Sequence, residues 1–501
     1  MKAVSVILAL LVVGTVFAVL QWVNPSLYGI DSYYHVKMAQ VISTEGAHHA
    51  FPWARFSVFQ TSFADKDFLF HVLTIPFVYL YDSFLLQAKS ASLFFILLFC
   101  AVFIICLRPY FQGPFLALGI LSLVAGDIFI LYSLYLRPMV FVNVLVLILV
   151  VSALRRQWPA VFIVSALYAL SHISFPLAVI LVWCIEGVRY LYTRQVDMRN
   201  CLYVLLGVFT GCMLHPDLPH NLYVLYLNGI LVPFYTLSGS LDLDFGTEFH
   251  ALTTKKYVIS MLPVLCGLVA FLAGGFFKKI RIRLHTCVFF VVFCAFFVLS
   301  LFSMRYVYHA YPFGIIFVFS FLSERYEQIN RKSKTLVIAV SSLVLCVSMF
   351  FTFASPGSVR KEASFWMQLN GHYERVAKFM ARSVPAGKAI FHAFWSDSPY
   401  FICLNPKDRY LVVLDPIYMY AYSKDLYRAY RYATRARIDV YRVFTEVFGT
   451  QYVYANSRSD LYEALLADPE RFQVLFKEDM GAVFRVKDAG DAPESGEEDK
   501  A

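Results

Sequence analysis

The stretch Tyr28-Gly29-Ile30-Asp31-Ser32-Tyr33-Tyr34-His35 sets one acidic residue among aromatics, just after the first long apolar run. In a chain that is 59% hydrophobic and only 15% charged, a carboxylate so placed has two options. It either faces water idly, or it sits in a partly desolvated cavity and handles chemistry. An Asp ahead of a helical run is also an ordinary helix cap. The surrounding architecture therefore has to decide between these readings.

Composition settles the class. The 501 residues include 49 Phe and 33 Tyr, whereas soluble domains carry about 25% charged residues. This is the profile of a polytopic α-helical membrane protein. The ten cysteines are scattered, several inside apolar runs (Cys100, Cys106, Cys184, Cys294), with no CxxC pair. They read as idle buried thiols, neither a zinc site nor a disulfide framework. The absence of a P-loop or a GxGxxG motif argues against an ATP-driven pump. The net charge of +9 resides in short loops, and no nucleic-acid partner is read from it.

Runs of about 20 apolar residues mark spans, and short Lys/Arg-rich loops mark the cytoplasmic side. Lys2 and the apolar run Ala3 to Leu20 could form a signal peptide. The run is long for one and lacks a small-x-small cleavage site, so an uncleaved first helix over 4–23 is expected. Further spans are expected at 88–107, 115–133, 138–154, 158–171, 175–191, 202–214, 257–277, 285–303, 308–323 and 335–354, about eleven in all. Phe68 to Phe84 is apolar but short and holds His71 and Asp82, so it reads as an interfacial helix. With that segment kept out of the count, the basic clusters all fall on one face. They are Arg108, Arg155-Arg156, Arg189 to Arg199, Lys278 to Arg283, and Arg325 to Lys334. That face is cytoplasmic, with the N-terminus. The transmembrane domain is then 1–357, with external loops at 24–87 and 215–256, in a plasma or inner membrane.

Residues 358–488 are a different kind of sequence. Helical patterns at Phe365–Ala381, Ser423–Ala433 and Leu461–Ala467 alternate with β-like runs. Those runs are Ala389–His392, Tyr410–Leu414, Gln451–Tyr454, Phe472–Phe476 and Ala482–Val486. They predict a small extracytoplasmic α/β domain. The acidic tail 489–501 is expected to be disordered.

The external segments are dense in ionisable groups. The first loop carries Asp31, His35, Lys37, Arg55, Asp65, Lys66, Asp67 and His71. The second carries His215, Asp217, His220, Asp242, Asp244, Glu248 and His250, while two turns carry Arg137 and Arg305. Carboxylates and imidazoles can act as general bases, and Arg and Lys can hold an anionic phosphate. The combination points to a site at the outer leaflet for a phosphorylated, lipid-attached substrate.

Gly29-Ile30-Asp31-Ser32-Tyr33-Tyr34 is similar to the acidic motif that opens the first external loop of the GT-C superfamily of polyprenyl-phosphate-dependent glycosyltransferases. That superfamily includes oligosaccharyltransferase catalytic subunits, protein mannosyltransferases and the aminoarabinose transferase. The order of helix, loop with early Asp, interfacial helix, bundle and extracytoplasmic domain resembles it over most of the chain. Lys66-Asp67-Phe68-Leu69 resembles the Lys-Pro-Pro-Leu segment whose Lys contacts donor phosphate, with both prolines absent. Met304-Arg305-Tyr306 through Tyr311-Pro312 resembles the Arg turn that neutralises that phosphate. His215-Pro216-Asp217 sits where members have an Asn-Pro or His-Pro turn. Phe394-Trp395-Ser396-Asp397 faintly resembles a Trp-Trp-Asp acceptor motif, with one Trp missing, so sequon recognition does not follow.

The resemblance implies a glycosyltransferase of inverting type, acting at the extracytoplasmic face. Its donor is a polyprenyl-phosphate-linked sugar, and its acceptor is a protein, lipid or glycan. Asp31 is the implied base. Arg305, Arg137, Lys66, Asp67, His215 and Asp217 are the implied substrate-binding residues, with Trp395 and Asp397 toward the acceptor. Members often bind a divalent cation (Mg²⁺ or Mn²⁺) through a second acidic residue at a later turn. Here that turn reads Tyr135-Leu136-Arg137-Pro138, so a metal held by Asp31 and this turn is disfavoured. Arg137 could itself offset phosphate charge. A non-catalytic scaffold with the same fold stays open as an alternative, as does a lipid-linked-sugar transporter.

Overall fold

The computed structural model describes residues 2–239, 243, 246–277, 282–354 and 359–487. Asp242, Asp244, Lys278 to Arg281, the expected boundary at 357/358 and the tail 489–501 lie outside the described residues.

In chain order the helices begin with α1 (Lys2–Val23), α2 (Asp31–Glu45), α3 (Phe68–Leu80), α4 (Phe84–Leu107), α5 (Phe115–Ser122) and α6 (Asp127–Leu134). Next come α7 (Pro138–Leu154), α8 (Trp158–Ser171), α9 (Pro176–Thr193), α10 (Met198–Met213), α11 (His220–Val224) and α12 (Val232–Ser238). The series continues through α13 (Thr254–Ser260), α14 (Leu262–Phe277), α15 (Leu284–Phe302), α16 (Val307–Gln328), α17 (Arg331–Ala354) and α18 (Val359–Ser383).

Among the described residues six helices are long and apolar enough to cross a membrane: α1, α4, α9, α15, α16 with its preceding turn, and α17. The pairs α5–α6 and α13–α14, bent by 67° and 81°, raise the number to eight if each pair is one crossing. The chain is an integral membrane protein. Each expected span falls on one of these helices or pairs, or on α7, α8 or α10. Those three have 17, 14 and 16 residues, at or below the lower limit of about 17 for a crossing. Length therefore supports six to eight crossings and does not establish eleven. α3, at 13 residues with Pro76 inside, is too short to cross, consistent with its interfacial reading.

Burial sorts the helices by role. α1 keeps Val4, Ile7, Leu8 and Leu11 more than half exposed, the apolar all-round surface of a helix that faces lipid. α16 is buried along almost its whole length, with Ile315, Ile316 and Phe317 at 0% exposure, and forms the centre of the bundle. α8 and α10 approach at a small-residue seam. A Cβ on Gly207 would lie 2.3 Å from the Phe162 carbonyl oxygen, and one on Gly211 2.4 Å from that of Ala166. Such a Gly-x-x-x-Gly contact lets two backbones pack closely where lipid offers no hydrophobic drive. At the two bends, the Ser260 hydroxyl donates to the Asp127 carboxylate, so the breaks are tied to each other.

Two compact units are distinguished. The first comprises Met1–Gly46, Asp65–Leu225 and Gly246–Met367; the second comprises Ala47–Ala64, Tyr226–Phe245 and Gln368 onward. The second unit is built on a five-stranded sheet of order β2-β1-β3-β5-β4. Its strands are β1 (Ala389–His392), β2 (Arg409–Tyr410), β3 (Tyr452–Asn456), β4 (Phe472–Glu478) and β5 (Gly481–Val486). β1 runs parallel to β2 and β3, while β5 is antiparallel to both β3 and β4. Each of the five β-like runs overlaps one strand. Pieces of both long loops join this unit. The Arg55 amide donates to the Tyr410 carbonyl (2.9 Å), the Tyr410 amide donates to Trp53 (2.7 Å), and Phe59 stacks on Tyr418 at 3.8 Å. A boundary drawn from composition alone misses these pieces.

Candidate functional site

The approach to α2 is set by Gly29. Its φ of +73° lies in the left-handed region, and a Cβ there would meet the Tyr135 ring at 2.9 Å, so glycine fits where a side chain would not. The helix N-cap position is Ile30, with no side-chain cap. Asp31 is therefore not spent on capping and reaches the turn between α6 and α7.

In that turn Pro138 occupies the first helical position of α7 and Arg137 precedes it in extended conformation. Arg137 pairs with the Asp31 carboxylate and, at 2.7 Å, with Glu248. The other Glu248 oxygen pairs with Arg305, whose guanidinium lies 4.3 Å over the Phe249 ring. Four side chains distant in sequence thus alternate in sign: Asp31, Arg137, Glu248, Arg305. Burial alone would raise the Glu248 pKa, but Arg137 and Arg305 outweigh it and hold the carboxyl well below the usual carboxylate range. Burial likewise opposes the Arg137 charge, and Asp31 and Glu248 more than restore it. Asp31 keeps 29% side-chain exposure and Arg305 35%, against 16% for Arg137, so both ends of the chain are open.

A second cluster sits behind the first loop. His71 Nδ1 lies 2.6 Å from Asp65 Oδ2, and His71 Nε2 lies 2.7 Å from His35 Nδ1. The Asp65 amide donates to Asp217 (2.9 Å), and the Asp65 carbonyl accepts from His215 Nε2 (3.1 Å). The Asp67 amide donates to the free Asp65 oxygen at 3.1 Å. His215 and Asp217 thus fasten the Asp65 backbone, which fixes the segment carrying Lys66. Asp67 is 2% exposed and its Oδ1 has no hydrogen-bond partner. Burial pushes its pKa up to about 6, against the pull of Lys66 and His71. Its near neighbour is His172 Nε2 at 4.0 Å, from the turn after α8.

Lys66 and His215 line an open cleft whose other walls include Ile173, Phe175, Leu222 and Leu225. The cleft joins one ammonium and one imidazole to an apolar surface. Among the described residues no salt bridge or hydrogen bond engages the Lys66 ammonium, in contrast to the paired arginines. Among the described residues it is the cation of this site with charge to spare.

In the second unit Asp397 is 1% exposed. It accepts from the Tyr373 hydroxyl and the Phe394 amide (3.2 Å), and burial pushes its pKa up to about 7. Trp395 opens the same short 3-10 turn. Asp397 is occupied in holding that turn to the unit's interior.

The fold gathers Asp31, Arg137 and Arg305 into one charge chain, and Lys66, Asp67, His215 and Asp217 into the neighbouring loop cluster. From sequence, His35, Asp65, His71 and Glu248 stood only among the ionisable groups of the external loops, and neither they nor His172 received a role of their own. Nothing separates Glu248 from Asp242, Asp244 or His250 until the fold sets it between two arginines. The spacing of Asp31 and His35, one helical turn apart, was the available signal for His35. Among the described residues no three His, Cys, Asp or Glu side chains converge as a metal-ligand set. Arg137 stands between the two carboxylates that would have to share a divalent cation, so the residues present do not fit one.

No family model and no curated relative matches the chain. ArnT from Cupriavidus metallidurans in the apo state aligns with a TM-score of 0.59 at 12% identity, over 95% of this chain and 97% of that one. The Archaeoglobus fulgidus oligosaccharyltransferase tethered with an acceptor peptide containing the NVT sequon gives 0.62 at 10% identity, over 90% and 69%. The chain has the GT-C fold. ArnT bound to undecaprenyl phosphate gives 0.56 at 13% identity, over 95% and 97%. The GT-C likeness thus runs through both units.

Proposed function

We propose that this chain is a glycosyltransferase that moves a sugar from a polyprenyl-phosphate-linked donor to an acceptor at the extracytoplasmic membrane face. The observation that carries the reading is the Asp31–Arg137–Glu248–Arg305 chain beside a half-buried, unpaired Lys66. A carboxylate that can accept a proton stands next to cations that can stabilise a departing phosphate. GT-C neighbours crystallised with undecaprenyl phosphate and with an acceptor peptide support the substrate classes. The topology that goes with it has about eleven crossings, with the basic loops cytoplasmic.

In the reaction the acceptor nucleophile attacks the anomeric carbon, with inversion, as the bond to phosphate oxygen breaks and its electron pair leaves with the lipid phosphate. Asp31 orients the nucleophile and takes its proton, held in place by Arg137. Lys66 meets the phosphate first, because its charge is unspent. Arg305 and Arg137 stabilise the added negative charge, and Glu248 keeps both poised. Asp67, His215 and Asp217 shape the loop that presents Lys66. Acceptor contact through Trp395 and Asp397 forms no part of this proposal, since Asp397 is consumed inside its own unit. No step uses a metal.

The four paired charges cancel, which is the one observation favouring a non-catalytic subunit of the same fold. Purified chain in liposomes, given radiolabelled undecaprenyl-phosphate and dolichyl-phosphate monosaccharides, separates the two. Release of free polyprenyl phosphate supports the enzyme, and none from any donor supports the scaffold.

A further inference from the structure

The reaction leaves a proton on Asp31, and keeping it there forfeits the ion pair to Arg137. The hydrogen bonds behind Asp31 show where it can go. His71 Nδ1 faces Asp65 Oδ2 at 2.6 Å and can only donate to it while Asp65 is ionised, which in a neutral His71 leaves Nε2 as an acceptor. His35 Nδ1, 2.7 Å away, must then be the donor. That order leaves His35 Nε2 with a bare lone pair, and no described group hydrogen-bonds to it. His35 follows Asp31 by four residues on α2, so both project from one face with about 5–6 Å between Cβ atoms. That spacing is bridged by direct contact or one water.

We propose that His35, His71 and Asp65 form a proton relay that clears the transferred proton from Asp31, a role that rests on the glycosyl-transfer reading. The proton passes from the Asp31 carboxyl to His35 Nε2 as the His35 Nδ1 proton moves to His71 Nε2 and the His71 Nδ1 proton moves to Asp65 Oδ2. Charges balance: Asp31 returns to carboxylate, Asp65 becomes the neutral acid, and both imidazoles end neutral in the opposite tautomer. Every hydrogen bond in the line survives with donor and acceptor exchanged. Burial first, then the charges of Arg137 and Lys66 and those of His71 and His172 when protonated, hold the His35 pKa well below the ordinary histidine value. A standing imidazolium is therefore disfavoured, and a concerted hand-over that never creates one suits the site. All three members are buried, at 4%, 0% and 4% exposure for His35, His71 and Asp65. Asp217 and Asp67 act as positioning residues, since they hold Asp65 in place.

The test uses full-length protein in liposomes and donor hydrolysis, with water as nucleophile and the undecaprenyl- and dolichyl-phosphate monosaccharides as probes. In His35→Asn the side-chain amide can still donate to His71, but the second ring nitrogen is gone. Its kcat should fall about 10²-fold with KM unchanged and thermal midpoint retained, and imidazole buffer should restore part of the rate. An unchanged kcat in His35→Asn, where the unaltered chain turns over, overturns the relay and leaves glycosyl transfer standing. No turnover by the unaltered chain overturns both. A readout independent of turnover is the ¹⁵N spectrum of histidine-labelled protein. The relay requires both His35 and His71 protonated on Nδ1, and a proton on Nε2 of either refutes the assigned order.

Discussion

Asp67 sits in an environment that is costly to maintain. Its carboxyl is buried and its pKa rises from 3.8 to about 6, so the folded state holds the proton more tightly than the unfolded chain does. The sign follows: the stabilising protonation is fully present below about pH 4 and is lost as pH rises through about 6. At neutral pH the buried charge costs roughly 3 kcal/mol, at about 1.36 kcal/mol per pKa unit. Asp67→Asn should therefore raise the thermal midpoint at pH 8, with the gain fading to nothing near pH 4. A constant gain across that range would mean that the ionised carboxylate is not the source. Glu248 has the opposite character. Glu248→Gln leaves two partly buried guanidiniums without the counter-charge between them, a change worth about 1–3 kcal/mol. A lower thermal midpoint in detergent, with partial recovery in Glu248→Asp, is the expected result. Asp31 and Arg305 were legible from sequence because each lies in a short loop beside a long apolar run. Glu248 was not, because its meaning depends on two arginines more than 50 residues away (57 for Arg305). His71 was similarly opaque, since its partner His35 is joined to it only by the packing of α2 on α3.

At the level of elements, the loop-to-helix entry at Gly29 aims Asp31. Gly29→Ala adds a Cβ at 2.9 Å from the Tyr135 ring and forces a positive φ on a residue that resists it. Activity should fall more than stability does, because the displaced element is the start of α2 and the bundle is untouched. Equal losses would place the effect in folding. The α8–α10 seam makes the converse prediction. Gly207→Leu must push the backbones apart, since even a Cβ is 2.3 Å from a carbonyl oxygen, and should lower the thermal midpoint strongly wherever activity is measured. The strands of the second unit were readable because alternation and β-branched or aromatic content are local properties. The participation of Ala47–Ala64 in the same unit was not, because an isolated bridge such as Ala54 to Tyr410 leaves no periodicity behind. Bends within α5–α6 and α13–α14 were also invisible: an apolar run of about 20 residues reads as one straight span whether or not it breaks.

For the whole molecule, the insertion of Arg137 between Asp31 and Glu248 predicts chelator-resistant turnover. Rates before and after EDTA should agree within about twofold, on the reasoning that a fixed guanidinium offsets the charge a cation would. Abolition by EDTA with rescue by Mg²⁺ or Mn²⁺ would falsify that. The central claim is that the charge chain and Lys66 receive a lipid phosphate, and one structure tests it most directly. With undecaprenyl phosphate bound, phosphate oxygens should lie about 2.7–3.2 Å from the Lys66 ammonium and from Arg305 or Arg137, with the lipid along the apolar wall of the cleft. A phosphate bound elsewhere, with Lys66 empty-handed and all four charges still paired to one another, would contradict it.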